Sequence, residues 1–328
     1  MPIINNDNSR LAGVIDAASE TWQNRYPVFQ EMQNLMFHNV PYTNIRNAEY
    51  AWKEALPFPK KWDYGRGRTY QTFLDRLITC RVMPFELSIP FNLYDERDDQ
   101  LQDVRKHVSK SVERFHMISD RLFSEYLNGA RSLNDRLEVA YDGGGLFSAT
   151  QGAGGAPRLG VAGGNIVTGS GTTPDAILAD VATVQARLLD MQDEEGQPFF
   201  TEADVDYDKL VVIGPNRLNE SLQKASKSEF IKSDPANITS ESNYQVGTWQ
   251  YKLNPYLTNQ NDLYVVVNND YWKPFIHRSP DSEGIRSIFA DFNNSDRARN
   301  TNEAAILTDV RIGLTPWFVG SIVKINNS

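Results

Sequence analysis

Between Asp95 and Ala130 the chain passes from extended, strand-like patterning into a helical repeat. Leu101, Val104, Val108, Val112, Phe115, Leu122 and Tyr126 recur at steps of three, four or seven. They therefore fall on one stripe of a 3.6-residue period. The other faces carry Arg105, Lys106, Lys110, Glu113, Arg114, Asp120, Arg121 and Glu125. Asp98 and Asp99 suit the positive end of a helix dipole, and Asn128-Gly129 supplies the left-handed residue at which helices commonly stop. The pattern predicts one helix from Asp98 to Asn128, about 45 Å long at 1.5 Å per residue. That is well beyond the average of about 11–12 residues.

Before this helix, RTYQTFLDRLITCRV and FELSIPFNLYD read as two extended runs, rich in β-branched and aromatic residues and parted near Met83-Pro84. Pro90 confines its strand to an edge or a bulge. A two-stranded ribbon is marginal alone in water, so this one is expected to lie against a partner. Residues 1 to about 60 read as an irregular arm. LAGVIDAASETWQNRY fits a short helix, but Pro27, Pro41, Pro57 and Pro59 break up the stretch after it. Trp22, Phe37, Tyr42, Trp52 and Trp62 are apolar anchors on a segment with little core of its own, which predicts docking onto the same chain or a neighbour.

After the helix, GGGLFSATQGAGGAPRLGVAGGNIVTGSGTTPD concentrates glycine over a length that is either mobile or held by contacts from elsewhere. Thr173 as cap and Pro174 at the first helical position open a second helix, with Ile177, Val181, Val184 and Leu188 on one stripe. The strand KLVVIGP, the helix NRLNESLQKASKSEF, a polar excursion and the buried strand LYVVVNN come next. This alternation predicts a compact α/β unit over roughly residues 170–270. The remaining runs, KPFIHRSP, IRSIFADF and AAILTDVRIGLTPWFVGSIVKI, alternate as antiparallel strands do and would suit a sheet beneath the long helix.

The 328 residues can bury a sizeable core and have room for about two domains. No apolar run approaches the roughly 18–20 residues that span a bilayer. The start MPIINNDNSR lacks a basic segment leading into an apolar one, so folding in a cytoplasm is expected. Cys80 is the single cysteine, which excludes an intrachain disulfide and a CxxC metal site. A formal charge of −9 argues against gripping nucleic acid over a broad surface. Arg66, Arg68, Arg76 and Arg81 nevertheless share one short segment, either as solvated charge or as contacts to an acidic partner surface. Arg297, Arg299 and Arg311 form a looser second group.

Candidate chemistry is sparse. The spacing around Gly152 and Gly154-Gly155 resembles a dinucleotide loop, but no strand leads into it and no helix begins in it. His38, His107, His116 and His277 contain no pair at chelating spacing. Asp95-Glu96, Asp98-Asp99 and Asp193-Glu194-Glu195 lack the framework of a calcium loop. There is no GxSxG elbow. No catalytic, cofactor-binding or metal-ligating residue is predicted, and a chain with many aromatic anchors, a loose arm and a protruding ribbon reads as an assembly subunit.

The order of these parts resembles the major capsid protein of tailed bacteriophages with the HK97-type fold. Within that family it is most similar to Mu-like major head subunits, through FELSIPFNLYDERDDQL, LNGA, GGGLFSAT and LVVIGPNRLNESLQKA. The resemblance implies an α+β fold with an N-terminal arm (1–60), an E-loop β-hairpin (61–97), and a P domain with a spine helix and glycine-rich segment (98–171). An α/β A domain (172–270) and closing P-domain strands (271–328) would complete it. It implies self-assembly into pentamers and hexamers of an icosahedral shell around double-stranded DNA, without sequence-specific binding to it. Scaffold, portal and decoration proteins would be further partners, in a virion capsid assembled in the cytoplasm of a bacterial host. Arg66, Arg68, Arg76 and Arg81 would then pair with carboxylates of an adjacent subunit such as Asp95, Glu96, Asp98 and Asp99, while Trp22, Trp52 and Trp62 anchor the arm. Two other readings stay open, an encapsulin-type compartment that encloses cargo enzymes and an intracellular hydrolase whose site spacing does not reveal.

Overall fold

The computed structural model describes residues 32–41, 47–53, 75–92, 101–133, 136–152, 155–232, 240–243, 245–279, 286–289 and 303–327. In chain order the strands are β1 (Phe37–Pro41), β2 (Asn47–Lys53), β3 (Asp75–Asn92), β4 (Ile166–Thr168), β5 (Leu210–Gly214), β6 (Phe230–Lys232) and β7 (Ser240–Ser242). They continue with β8 (Gln250–Leu253), β9 (Leu263–Val267), β10 (Phe275–Ser279), β11 (Arg286–Phe289), β12 (Glu303–Pro316) and β13 (Ile322–Asn326). The longer helices among the described residues are α1 (Leu101–Asn128), α2 (Pro174–Asp190) and α3 (Asn219–Lys227).

The long helix forms as its period predicts. Its 28 residues correspond to about 42 Å, and Gly129 comes next at φ 64°, the left-handed stop. Of the predicted stripe, Leu122 and Tyr126 are buried together with Phe123 and Leu127. Asp98, Asp99 and the side chains of Leu101, Val104, Val108, Val112 and Phe115 lie outside the described residues. Thr173 caps α2 by accepting from the Ala176 amide, and Ile177, Val181, Val184 and Leu188 form its buried stripe.

Two main sheets organise the rest. A six-stranded sheet runs β1-β10-β12-β3-β2, with β11 also on β12, and a five-stranded sheet runs β4-β13-β9-β5-β8. Every residue of β5 and β9 is buried, as befits strands covered on both faces. α2 and α3 pack together, α3 forms the crossover side of the parallel β5/β8 pair, and the core is continuous between the sheets.

Three expectations need correction. Met83-Pro84 is not a turn, because β3 runs unbroken for 18 residues. It pairs with β2 from Asp75 to Arg81 and with β12 from Val82 to Asn92. The hairpin therefore joins β3 to β2, a segment that sequence reading placed in the irregular arm, and Trp52 is a strand residue. Pro90 sits where β12 is the only described neighbour of β3, in keeping with its missing amide hydrogen.

The closing segment also divides between the sheets. β12 lies in the six-stranded sheet, but β13 enters the five-stranded one between β4 and β9. The described glycine-rich residues are held by buried polar groups. Asn165 Nδ2 donates to the carbonyls of Leu146, Val319 and Ile322 at 2.9, 3.1 and 3.2 Å. Arg158 is fully buried and grips Asp142 with two contacts of 2.6 Å. Two of the segment's few polar side chains, Arg158 and Asn165, thus tie its backbone to Asp142 and to the 319–322 turn.

Candidate assembly surfaces

The β2–β3 ladder places Trp52 opposite Arg76 and Asn47 opposite Arg81. Ile78, Cys80 and Val82 are buried on one face, whereas Leu77 is 68% exposed on the other. Arg81 is half-buried, and the side chains of Trp52 and Arg76 lie outside the described residues. Also outside them are Trp22, Trp62, Arg66, Arg68, Asp95, Glu96, Asp98 and Asp99. Backbone register thus brings one predicted aromatic anchor beside one predicted arginine.

The end of α1 is tied to both sheets. Tyr126 Oη donates to the Leu314 carbonyl at 3.0 Å on the six-stranded side. On the other side Tyr264 Oη donates to the Leu127 carbonyl at 3.0 Å, and Asn254 Nδ2 donates to Ser124 Oγ at 2.8 Å. Asn128 completes the junction by donating to the Tyr256 carbonyl at 2.9 Å and accepting from the Thr258 amide at 3.0 Å. Burial raises the Tyr126 and Tyr264 hydroxyls well above the ordinary tyrosine value, so both stay protonated and able to donate.

Two ionisable groups near this junction are strongly desolvated. Burial pushes the Asp120 carboxyl up to about 7, and its Oδ1 is shut from solvent with no hydrogen-bond partner. Burial pushes His277 down to about 4. The His277 ring stacks on Phe37 at 4.8 Å, with Nδ1 2.9 Å from Asn39 Oδ1 and Nε2 3.3 Å from Ser119 Oγ. Nothing in the spacing of the four histidines marks His277 as a core group; only its strand neighbour Phe275, two positions away on the same face, hints at it.

An open groove of about 430 Å³ runs between α1 and β3, floored by Phe85, Leu87, Met117 and Ile118 and flanked by Arg114 and Arg121. A second, of about 390 Å³, lies at the end of α1 against Leu137, Phe147, Ile166 and Lys324. Neither gathers acids, bases and nucleophiles in a catalytic arrangement. Among the described residues no group of three or more His, Cys, Asp or Glu could hold a metal ion, and no helix is long and apolar enough to cross a membrane.

No family model and no curated protein matches the chain. Solved structures do. The capsid of an empty GTA particle superimposes with a TM-score of 0.55 at 10% identity, over 89% of this chain and 88% of that one. The capsid of Ralstonia phage GP4 does so with a TM-score of 0.53 at 11% identity, over 90% and 88%. A virus-like particle from Pyrococcus furiosus gives 0.50 at 7% identity, over 94% and 96%. The chain therefore has the fold of a capsid-shell subunit. More narrowly, it is an α+β fold of the HK97 type, with its long helix between a β-sheet carrying an extended hairpin and a second mixed sheet.

Proposed function

We propose that this chain is a phage major capsid protein, a structural and non-enzymatic subunit that assembles into pentamers and hexamers of an icosahedral shell around double-stranded DNA. The observation that carries this reading is the extent of the fold likeness, about nine-tenths of both this chain and the GTA capsid chain. In this reading the β2–β3 hairpin is the E-loop, α1 is the spine of the P domain, and the five-stranded sheet with α2 and α3 is the A domain. The arginines of the hairpin, Arg66, Arg68, Arg76 and Arg81, contact carboxylates of the adjacent subunit, with Asp95, Glu96, Asp98 and Asp99 as their candidates. Trp22, Trp52 and Trp62 anchor the arm. Scaffold, portal and decoration proteins are the further partners, and the location is the virion after assembly in a bacterial cytoplasm. Placement beside Mu-like head subunits rests on the segments quoted for that resemblance.

A net charge of −9 supports a shell that confines DNA without adhering to it. Negative-stain electron microscopy of the purified chain, with light scattering, tests assembly. Closed shells, tubes or five- and six-membered rings are expected, and a monomer under all salt conditions would overturn the reading. One second reading is an encapsulin-type compartment around cargo enzymes; one of the structures that share the fold is a virus-like particle. Nuclease-protected DNA inside particles isolated from the native host would decide for the phage shell, and co-purifying enzymes would decide for the compartment.

A further inference from the structure

Three observations converge where β3 changes partner. Arg81 is the last residue opposite β2, and Val82 is the first opposite β12. The packed face changes at the same place, from Ile78, Cys80 and Val82 to Met83, Phe85 and Leu87. Strand continuity through a change of both neighbour and face marks an elbow in the sheet rather than a turn.

The second observation is a glycine. Gly313 of β12 lies in one cross-strand row between Val82 of β3 and Arg278 of β10. A Cβ at this position would stand 2.9 Å from the Arg81 carbonyl oxygen, 3.1 Å from Val82 Cγ2 and 3.2 Å from Cys80 Sγ. Only a residue without a side chain lets β3 and β12 approach so closely here.

The third is a fully buried arginine that reaches beyond its neighbouring strand. Arg278 Nη1 donates to the Cys80 carbonyl of β3 at 3.2 Å, and its guanidinium carbon stands 6.0 Å from the centre of the Tyr50 ring on β2. Thr315 Oγ1 donates to the Thr79 carbonyl at 3.3 Å beside it. The guanidinium's five donors in a rigid fork let it bond the Cys80 carbonyl and engage the Tyr50 side chain at once, a geometry that the point charge of a lysine does not reproduce.

We propose that Gly313 and Arg278 form a latch at this elbow: the missing side chain at 313 leaves a lane across β12, and Arg278 crosses it to fix the β2–β3 hairpin at one angle to the β10–β12 part of the six-stranded sheet. The latch matters for assembly only if the shell reading above holds, because the hairpin is the element that reading aims at a neighbouring subunit. Its action on the hairpin is a property of the single chain.

Hydrogen exchange by mass spectrometry on the unassembled full chain tests it, comparing wild type with Arg278→Lys, Tyr50→Leu and Gly313→Ala. Amides of 47–53 and 75–81 should exchange about tenfold faster or more in each variant, while those of β5, β9 and β13 keep their wild-type rates. Arg278→Lys and Tyr50→Leu, which need no backbone shift, keep the test decisive if Gly313→Ala does not fold. Unchanged hairpin exchange in those two variants would overturn the latch. So would equal acceleration in both sheets, since that reports general destabilisation. Electron microscopy of the wild-type chain brought to assembly conditions separates the two ideas, because absence of particles there counts against the shell reading and leaves the exchange result on the unassembled chain standing.

Discussion

The hydroxyl of Tyr264, at the centre of the five-stranded sheet, donates to the carbonyl of Leu127 in the last turn of α1 at 3.0 Å. A helix end leaves its final carbonyls without partners inside the helix, so this bond meets a need of α1 while joining it to the five-stranded sheet. Tyr264→Phe would keep the ring and strand the carbonyl in a buried site. It should cost about 1–3 kcal/mol in denaturant unfolding. A change below about 0.3 kcal/mol would mean that another group satisfies the carbonyl.

Asp120 and His277 should give stability two opposing pH dependences. The Asp120 carboxyl is raised from an unfolded value of about 3.9 to about 7, so the folded state holds the extra proton between those values. Its contribution is complete below about 4 and is lost as pH rises towards 7. His277 is lowered from about 6.5 unfolded to about 4. Its contribution is complete above about 6.5 and is lost as pH falls towards 4. The two slopes offset each other between about 4 and 6.5 in the wild type. In Asp120→Asn, stability should rise with pH across that window; in His277→Gln it should fall. Denaturant midpoints measured from pH 4 to pH 7.5 would show this, and parallel profiles for all three proteins would refute it.

The parts readable from sequence were those specified by local period. The α1 helix with Leu122 and Tyr126 buried at its end, its stop at Gly129 and the Thr173 cap of α2 each depend on residues within a turn or two of one another. β3 misled because Val82 and Met83 are consecutive packed residues, which breaks alternation, and Pro84 then suggests an end. β2 and β13 are short runs whose sheet is decided by distant partners, Ile78 opposite Tyr50 and Val266 opposite Ile322. The same limit hid the row Arg278, Gly313 and Val82, since neither an isolated glycine in a strand nor a lone arginine signals its cross-strand neighbour. Trp22, Trp62, Arg66, Arg68 and the acids at Asp95, Glu96, Asp98 and Asp99 were singled out by composition, and they lie outside the described residues.

The Arg158–Asp142 pair tests how firmly the glycine-rich segment is held. Both side chains are almost wholly buried, at 0% and 2% exposure, and Arg158 Nη1 also donates to the Leu146 carbonyl at 2.9 Å. Arg158→Met leaves the Asp142 carboxylate buried without its partner and should cost about 3–5 kcal/mol. Adding Asp142→Leu should recover a large part of that loss, because the double variant buries no unpaired charge. Thermal unfolding of the two single variants and the double variant measures the coupling. Strict additivity would show that the pair does not act as a unit.

Assembly should depend on the charge of the hairpin. Arg76 sits opposite Trp52 in the β2–β3 ladder, and Arg68 lies seven positions before Asp75, the first residue of β3. The double reversal Arg68→Glu and Arg76→Glu changes the formal net charge from −9 to −13, since each substitution removes one positive and adds one negative charge. If these arginines meet carboxylates on an adjacent subunit, the variant should remain folded but form few closed particles. Wild-type assembly should weaken as salt rises over about 0.1–1 M, where the screening length falls from about 10 to about 3 Å. A partial rescue by Asp98→Lys with Asp99→Lys in the same chain would identify the acidic partner, because the swap restores opposite signs across the contact. Circular dichroism establishes that each variant is folded, and light scattering with electron microscopy counts particles. Wild-type particle yield from the double reversal would remove these arginines from the interface.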